Sequence, residues 1–302
     1  MLYVLLGLVI AVNLVFAVVF VRDLLRHRAE AKAEPGNIWA QAFSSTVTFF
    51  FSTFGISDFA ISTIVYRRLK WVSDKRLPGT LNTQCVIPVA VMAVSYISSI
   101  EVGLVTLFSL IAAQAAGAYI GPRFVVKLPV NVIRGFIAVG LSVTALLILA
   151  GQLGWIPSDG QATELTGWKF VVGVVAMFVF GALNNVGIGS YALTMAATYA
   201  LGMNPVAAFP IMMGACALSV PIGSSEFVRL GSYSRRLTAV TAVFGVIGVL
   251  LAVFIVKSLD VTAIKWVVLV VIVYTAISLG RSFLKARGTV EESDEAPVEV
   301  TA

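Results

Sequence analysis

Two short polar interruptions, FGISDFA at residues 54–60 and VGIGSYA at residues 186–192, each divide a long apolar stretch. The first stretch runs from about residue 38 to 66, and the second from about 170 to 201. A glycine-rich break in an apolar helix leaves backbone N–H and C=O groups without partners, and hydrocarbon offers none. Such breaks are tolerated mainly where they line a cavity. The two interruptions therefore predict a site at membrane depth.

A constant offset of 132 residues aligns the two interruptions, and the segments that follow them, without a gap. The break, the arm after it and the proline that opens the next apolar segment all recur in order. Paired Gly-broken helices at matching positions of two repeats are typical of the substrate sites of transporters. The identities under the offset are Gly55 with Gly187, Ile56 with Ile188, Ala60 with Ala192, Leu69 with Leu201 and Pro78 with Pro210.

The composition is that of a polytopic membrane protein. Of the 302 residues, 59% are hydrophobic and 12% are charged, whereas soluble domains carry about 25% charged residues. Cys85 and Cys216 lie in apolar segments, where we expect free core cysteines, and His27 is expected in a solvated loop. No nucleotide-binding, zinc or nucleophile motif occurs. We therefore expect no cofactor and no metal. The net charge of +6 reflects basic loops, so we expect no nucleic-acid partner.

The basic loops predict the topology, because Lys and Arg concentrate on the cytoplasmic side. On this rule the N-terminus lies outside, the C-terminus lies in the cytoplasm, and the chain is a multi-pass protein of the cell membrane. The predicted segments are a retained N-terminal transmembrane helix (1–21), a cytoplasmic basic linker (22–36), a first repeat (37–150), an external loop (151–169), a second repeat (170–287) and a disordered acidic tail (288–302).

Each repeat is predicted to hold one broken hairpin and three crossings, and an odd number of crossings inverts the second copy relative to the first. The predicted fold is thus an all-α polytopic membrane protein with two inverted repeats and an extra N-terminal transmembrane helix. Hairpin arms of about 16 residues would be ~24 Å long. Re-entrant hairpins and thin spanning helices both remain open. The predicted crossings are 80–99, 102–120, 132–150, 206–223, 237–256 and 262–284.

These residues resemble the sulfite exporter TauE/SafE family of membrane permeases, over roughly residues 40 to 285. Members of that family look like two halves, each with a Gly-rich break and a later Ala-x-Gly-Thr-Ser-like helix start. The resemblance implies transport of small sulfur-containing anions such as sulfite and organosulfonates. Ser57 and Asp58 stand where the family tends to have glycine, the second copy lacks the Gly-Thr pair, and residues 1–21 are an addition. The matching stretches are residues 55–58, 77–81, 187–190 and 205–213.

The predicted substrate site comprises the two breaks and the polar residues beside them. Each helix that starts after a break would direct its free N–H groups and positive dipole end at the site, which favours an anion. Ser57, Thr80 and Gln84 would be the polar set of the first copy, and Asn82 is a less certain member. The predicted substrate-binding residues are Gly55, Ile56, Ser57, Asp58, Thr80, Gln84, Asn184, Asn185, Gly187, Gly189 and Ser190.

Asp58 is the acid that the sequence places deep in an apolar segment. A carboxylate at such depth costs at least ~2.5 kcal/mol on insertion scales unless it is solvated, paired or protonated. Three interpretations stay open at this point. Asp58 could be the N-cap of the second arm, it could carry a coupling proton, or it could lie in a water-filled vestibule.

The sequence favours a secondary transporter of a small anion, sulfite or an organosulfonate, with alternating access at the two hairpin tips. The alternatives are an anion channel or an uptake permease for another small carboxylate and, in different classes, a non-transporting membrane assembly protein or an intramembrane enzyme. We favour a non-enzyme because the apolar segments lack a histidine, a metal-ligand cluster and a paired acid. The expected partners are the lipid bilayer, the anion and a coupling proton. A homodimer is compatible with the sequence.

Single cysteines test the predicted topology. A cysteine introduced near Asp159 should react with an impermeant maleimide from outside the cell. Cysteines near Lys75, Arg123 and Glu295 should react only after the membrane is opened, since the basic loops face the cytoplasm. Labelling near Lys75 and Asp159 from the same side would rule out inverted repeats.

Overall fold

The computed structural model is helical, and the part of the chain that it describes contains no β-strand. The described residues are 2–120, 135, 138–139, 141–143, 145–146, 149–150, 153, 162–184, 190–258 and 261–294. The helices are α1 (Leu2–Arg26), α2 (Arg28–Ala33), α3 (Ile38–Thr53), α4 (Asp58–Arg68), α5 (Leu77–Ile97), α6 (Leu104–Ile120), α7 (Gly167–Asn184), α8 (Ser190–Ala200), α9 (Ala208–Arg229), α10 (Arg235–Ser258) and α11 (Val261–Asp294), with a 3-10 turn at Pro205–Ala207.

Four of these helices are long and apolar enough to cross a membrane, namely α1, α5, α9 and α10. Shorter apolar helices occur in α6, α7 and α11. The predicted crossings at 80–99, 102–120, 206–223, 237–256 and 262–284 all fall on observed helices. About half of the predicted crossing at 132–150, and about half of the external loop at 151–169, lies outside the described residues. The described helices are those of a polytopic helical membrane protein.

The first apolar stretch is a helical hairpin, as the sequence predicts. Helix α3 has 16 residues and α4 has 11 residues, so the arms are ~24 Å and ~16 Å long. Both lengths fall short of the ~30 Å hydrocarbon core.

The C-terminal helix extends further than the composition predicts. We expected a disordered tail from residue 288, but α11 continues to Asp294. Glu is a good helix former, and the first helix-breaking residue of this segment, Pro297, comes later. Residues 295–302 lie outside the described part of the chain.

Helices of the first half pack against helices of the second half. Helix α3 packs along α10, α7 packs along α6, and α5 packs against α9. Glycines allow the close crossings, because a Cβ at Gly248 would overlap the carbonyl oxygen of Thr46, and a Cβ at Gly117 would overlap that of Phe178. Thr46 and Phe178 differ by the repeat offset of 132, and the two glycines differ by 131. The two crossings are therefore built at matching positions of the two halves.

The N-terminal helix repairs a break in α9. Pro221 lies inside α9 and has no N–H, so the carbonyl of Ala217, four residues earlier, loses its usual helical donor. The buried side chain of Asn13 in α1 donates to that carbonyl at 2.8 Å and to the carbonyl of Val9 at 2.7 Å. Helix α1 is therefore joined to α9 by a hydrogen bond that the proline makes necessary.

Acidic residues at the end of α1 and in α2 hold the start of α10. The side chain of Arg235 is 6% exposed, and its Nε donates to Asp23 at 2.7 Å while its Nη1 donates to Glu30 at 3.0 Å. The hydroxyl of Tyr233 also donates to Asp23, at 2.6 Å. A buried guanidinium requires such partners. We predicted residues 22–36 as a basic linker, yet its acidic side chains make these contacts.

Glu34 completes this junction as a cap of α10. Its carboxylate accepts from the backbone N–H groups of Arg235 at 3.0 Å and Arg236 at 2.9 Å. It also accepts from the hydroxyl of Ser234 at 2.6 Å. An anion at a helix N-terminus satisfies free N–H groups and interacts favourably with the dipole. The segment between α1 and α3 thus fixes the start of α10.

A double-mutant cycle tests the bond between α1 and α9. Asn13→Leu should lower the free energy of unfolding by about 1 kcal/mol, the scale of interhelical hydrogen bonds in membranes. In a Pro221→Ala background the restored N–H can serve Ala217, so the same change should cost less. Thermal unfolding of the purified protein in detergent measures both. An equal loss in both backgrounds would show that Asn13 acts through some other contact.

Candidate functional site

The first interruption closes helix α3 with a Schellman motif. Helix α3 has Phe54 as its C-cap, and Gly55 follows with φ +96°, in the left-handed region that glycine adopts without strain. The N–H of Gly55 donates to the carbonyl of Ser52 at 2.8 Å, and that of Ile56 donates to Phe51 at 3.3 Å. These two bonds satisfy carbonyls at the helix end. The predicted break is therefore an ordered helix end with its own hydrogen bonds.

Helix α4 begins directly after this turn, and its cap is Ser57 rather than Asp58. Ser57 is the N-cap, and its side chain accepts from the N–H of Ala60 at 3.3 Å. The interpretation of Asp58 as the cap is wrong, because Asp58 is already the first helical residue. Asp58 is 3% exposed. Its Oδ2 atom has no hydrogen-bond partner within the described residues.

A buried polar chain joins α4 to α5. The hydroxyl of Tyr66 donates to the Oε1 atom of Gln84. The Nε2 atom of Gln84 donates to the hydroxyl of Ser62 at 3.0 Å. Ser62 and Tyr66 are one helical turn apart, so this chain follows one face of α4 from the side of Asp58. Gln84, a predicted site residue, thus fixes the second arm of the first hairpin.

The second hairpin places Ser190 at the equivalent position. Ser190 is the first residue of α8 and is 1% exposed, and the repeat offset aligns it with Asp58. The Nε2 atom of Gln114 in α6 donates to its hydroxyl at 2.9 Å, and the Sγ atom of Cys216 in α9 lies 4.0 Å from it. The Oε1 atom of Gln114 has no partner within the described residues. Two buried acceptors, on Asp58 and Gln114, therefore lack a donor, and a group that pairs with either must supply a hydrogen.

The starts of α4 and α8 meet in one cluster. Asp58 lies close enough to Cys85, Cys216 and Tyr191 for the charged forms of these side chains to repel it. A Cβ atom at Gly55 would overlap the Cε atom of Met195 in α8, so the first tip lies against the second arm of the other hairpin. We call this set the hairpin-tip cluster, and its members are Asp58, Cys85, Gln114, Ser190, Tyr191 and Cys216.

The hairpin-tip cluster contains an acid and neutral donors. Among the described residues, the buried charged side chains are Asp58 and Arg235, and Arg235 is paired at the junction with Asp23. No cation of the described part of the chain therefore lies buried beside Asp58. The positive dipole ends of α4 and α8 supply a favourable field for an anion.

Thr80 is one predicted site residue that the fold uses elsewhere. Its hydroxyl donates to the carbonyl of Arg76 at 2.8 Å and accepts from the N–H of Ser234 at 2.9 Å. These bonds tie the start of α5 to the turn before α10. Thr80 and Gln84 share a face of α5, as expected, but that face meets α10 at one level and α4 at the next.

The remaining predicted residues divide between packing and positions that lie outside the description. Ile56 is half-buried and packs against the main apolar core. Asn184 is the last residue of α7. Asn185, Gly187 and Gly189 lie outside the described residues.

Sequence reasoning missed four of the six residues of the hairpin-tip cluster, namely Cys85, Gln114, Tyr191 and Cys216. Cys85 and Cys216 are free and buried, as predicted, but they were assigned to the core alone. The repeat offset aligns Cys216 with Gln84, and this could have marked it as a site position. Gln114 carried no such signal, because its role depends on the packing of α6 against α7 and α9.

Comparisons with known proteins are consistent with this architecture. Searches of the curated proteins and of the solved structures find no match to the chain. A family model described as "Sulfite exporter TauE/SafE" matches residues 1–148. The match includes α1, which the sequence analysis treats as an addition to the family pattern. The predicted resemblance to the sulfite exporter TauE/SafE family is therefore confirmed over residues 1–148.

Proposed function

We propose that this protein is a secondary transporter that moves a small oxyanion, sulfite or an organosulfonate, across the cell membrane. The observation that carries the proposal is the meeting of two buried helix starts, at Asp58 and Ser190, in one cluster. Both helices direct a positive dipole end toward the cluster. The description of the family that matches residues 1–148 supports a sulfur oxyanion as the substrate.

Alternating access between two inverted repeats would give the cluster its two openings. The helix bounds support the repeats, because the offset of 132 carries α4 (Asp58–Arg68) onto α8 (Ser190–Ala200) and carries α5 to within one residue of α9. The packing of α3 on α10 and of α7 on α6, each between a helix of one half and a helix of the other, supports the repeats as well. Two repeats that pack against each other can rock around a site at their interface. The topology has the N-terminus outside and the C-terminus in the cytoplasm, as the basic loops predict.

Among the described residues no buried cation lies near Asp58, and this affects how anion transport could be coupled to protons. A charged Asp58 would repel an anion in the same cluster, and a buried charge without a partner is costly. We therefore propose that Asp58 carries a proton when the anion binds, so that proton and anion move together. The N-cap of α4 is Ser57. This supports a role of Asp58 in proton transfer, because Asp58 is not needed as the cap.

Flux of radiolabelled sulfite into proteoliposomes tests the proposed function. We expect time-dependent uptake above that of protein-free liposomes, and competition by unlabelled organosulfonates. Competition by small carboxylates alone would favour the uptake-permease alternative. Uptake equal to that of protein-free liposomes under a pH gradient of either sign would contradict transport of sulfite.

Substitution of the break glycines should abolish this flux. Gly55→Val forces a β-branched residue into a left-handed conformation against Met195, and Gly187→Val changes the matching position. We expect flux at the level of protein-free liposomes with unchanged membrane insertion. Gly7→Val is the matched control, because a Cβ at Gly7 meets nothing within 4 Å. Full flux in either break variant would mean that these glycines serve packing alone.

Asp58→Asn tests the coupling role. Asn cannot titrate, so accumulation driven by a pH gradient should fall to the level of protein-free liposomes, while exchange of labelled for unlabelled sulfite persists. Asp58→Glu should retain part of the accumulation, and Glu101→Gln, at an exposed acid, should retain all of it. Gradient-driven accumulation by Asp58→Asn at the rate of the unaltered protein would eliminate Asp58 as an essential coupling residue.

A further inference from the structure

A second concave site lies along α9 and shares no lining residue with the hairpin-tip cluster. Helices α1 and α6 each pack along α9, and a cavity of about 710 Å³ opens over the C-terminal half of α9 between them. We call it the α9 groove. Its apolar lining includes Val12, Val15, Ala118, Leu218, Ile222 and Gly223.

The α9 groove has the length of one leaflet. The residues of α9 that line it run from Leu218 to Arg229, which is ~18 Å of helix. Half of a ~30 Å hydrocarbon core is ~15 Å. The groove, from its apolar wall to the charged residues Glu226 and Arg229, therefore has about the depth of one leaflet, from the middle of the bilayer to an interface.

The polar end of the α9 groove carries one charge of each sign. Glu226 and Arg229 line it at the C-terminal end of α9, with 61% and 72% of their side chains exposed. Their closest approach is 3.6 Å, and an exposed pair of this kind adds little to stability. Tyr119 lines the same wall, and tyrosine is enriched at the level of lipid headgroups. The groove therefore ends at an interface, in two charges that are available to a ligand.

We propose that the α9 groove binds a phospholipid with a zwitterionic, primary-amine headgroup, such as phosphatidylethanolamine. The acyl chain lies along α9 between α1 and α6. The guanidinium of Arg229 binds the phosphate, and the carboxylate of Glu226 accepts hydrogen bonds from the ammonium. Glu226 disfavours a headgroup of net negative charge, and a quaternary ammonium cannot donate the hydrogen bond. The two charges thus select a primary amine over glycerol and choline headgroups.

Substitution of Gly223 by a larger residue should block the α9 groove. It lines the groove, and a Cβ there would meet nothing within 4 Å. Gly223→Leu therefore places a side chain in the lipid's position, and Leu is a better helix former than Gly. Gly7→Leu in α1 is the matched control, because a Cβ at Gly7 also meets nothing within 4 Å and Gly7 does not line the groove.

Native mass spectrometry of the full chain tests the proposal. The protein is incubated with equal amounts of phosphatidylethanolamine, phosphatidylglycerol and phosphatidylcholine, and the lipids that stay bound are counted. We expect at least a severalfold excess of phosphatidylethanolamine on the unaltered protein and on Gly7→Leu, and loss of that bound lipid from Gly223→Leu. Equal retention of the three lipids by the unaltered protein would overturn the proposal, as would retention by Gly223→Leu at the unaltered level.

Charge variants keep the test decisive if Gly223→Leu fails to fold. Glu226 and Arg229 are exposed, so neutral replacements leave the core intact. Glu226→Gln should abolish the preference for phosphatidylethanolamine over phosphatidylcholine, because the acceptor charge for the ammonium is lost. Arg229→Gln should reduce binding of all three lipids, because each carries a phosphate. An unchanged preference in Glu226→Gln, or unchanged lipid binding in Arg229→Gln, would contradict the proposed headgroup contacts.

Discussion

Backbone groups at the ends of α3 and α4 have to be satisfied within the protein, because hydrocarbon provides no hydrogen-bond partners. A Schellman turn at Gly55 and an N-cap at Ser57 meet most of this demand locally. The hydroxyl of Tyr96 in α5 donates to the carbonyl of Thr53 at 3.0 Å and adds a tertiary partner. Once the helix end is satisfied in this way, α4 can begin in the interior with a polar first residue.

The same constraint recurs wherever a helix is broken. Pro221 removes a donor from α9, and Asn13 replaces it from α1. Helices α4, α8 and α9 each end in a left-handed residue, at Lys70, Gly202 and Gly231, and the backbone bonds of these three ends repeat those at Gly55. Helix α10 starts on the carboxylate of Glu34. At each of these helix ends, the backbone groups that the helix leaves unpaired find hydrogen-bond partners nearby.

The balance of charge distinguishes the hairpin-tip cluster from these structural junctions. At the junction of Asp23 with Arg235, charges of opposite sign are matched at hydrogen-bond distance. In the cluster, Asp58 has no buried cation beside it among the described residues, and one of its carboxyl oxygens lacks a hydrogen-bond partner there. Single unpaired atoms also occur at the junctions, on Asn13 and Arg236, so the unmatched acid is the feature that sets the cluster apart.

The helical membrane architecture, the bounds of most helices and the positions of both interruptions can be predicted from the sequence, because hydropathy and glycine placement are local properties of the chain. The sequence also identifies Asp58, Gln84 and Ser190 as polar residues in or beside the breaks. Which of these residues meet depends on the packing of the helices. The roles of Gln114 and Cys216 follow from the packing of α6 and α9, and the place of Thr80 follows from the packing of α5 on α10. These contacts join residues far apart in the chain, and hydropathy carries no information about which helix faces turn toward each other.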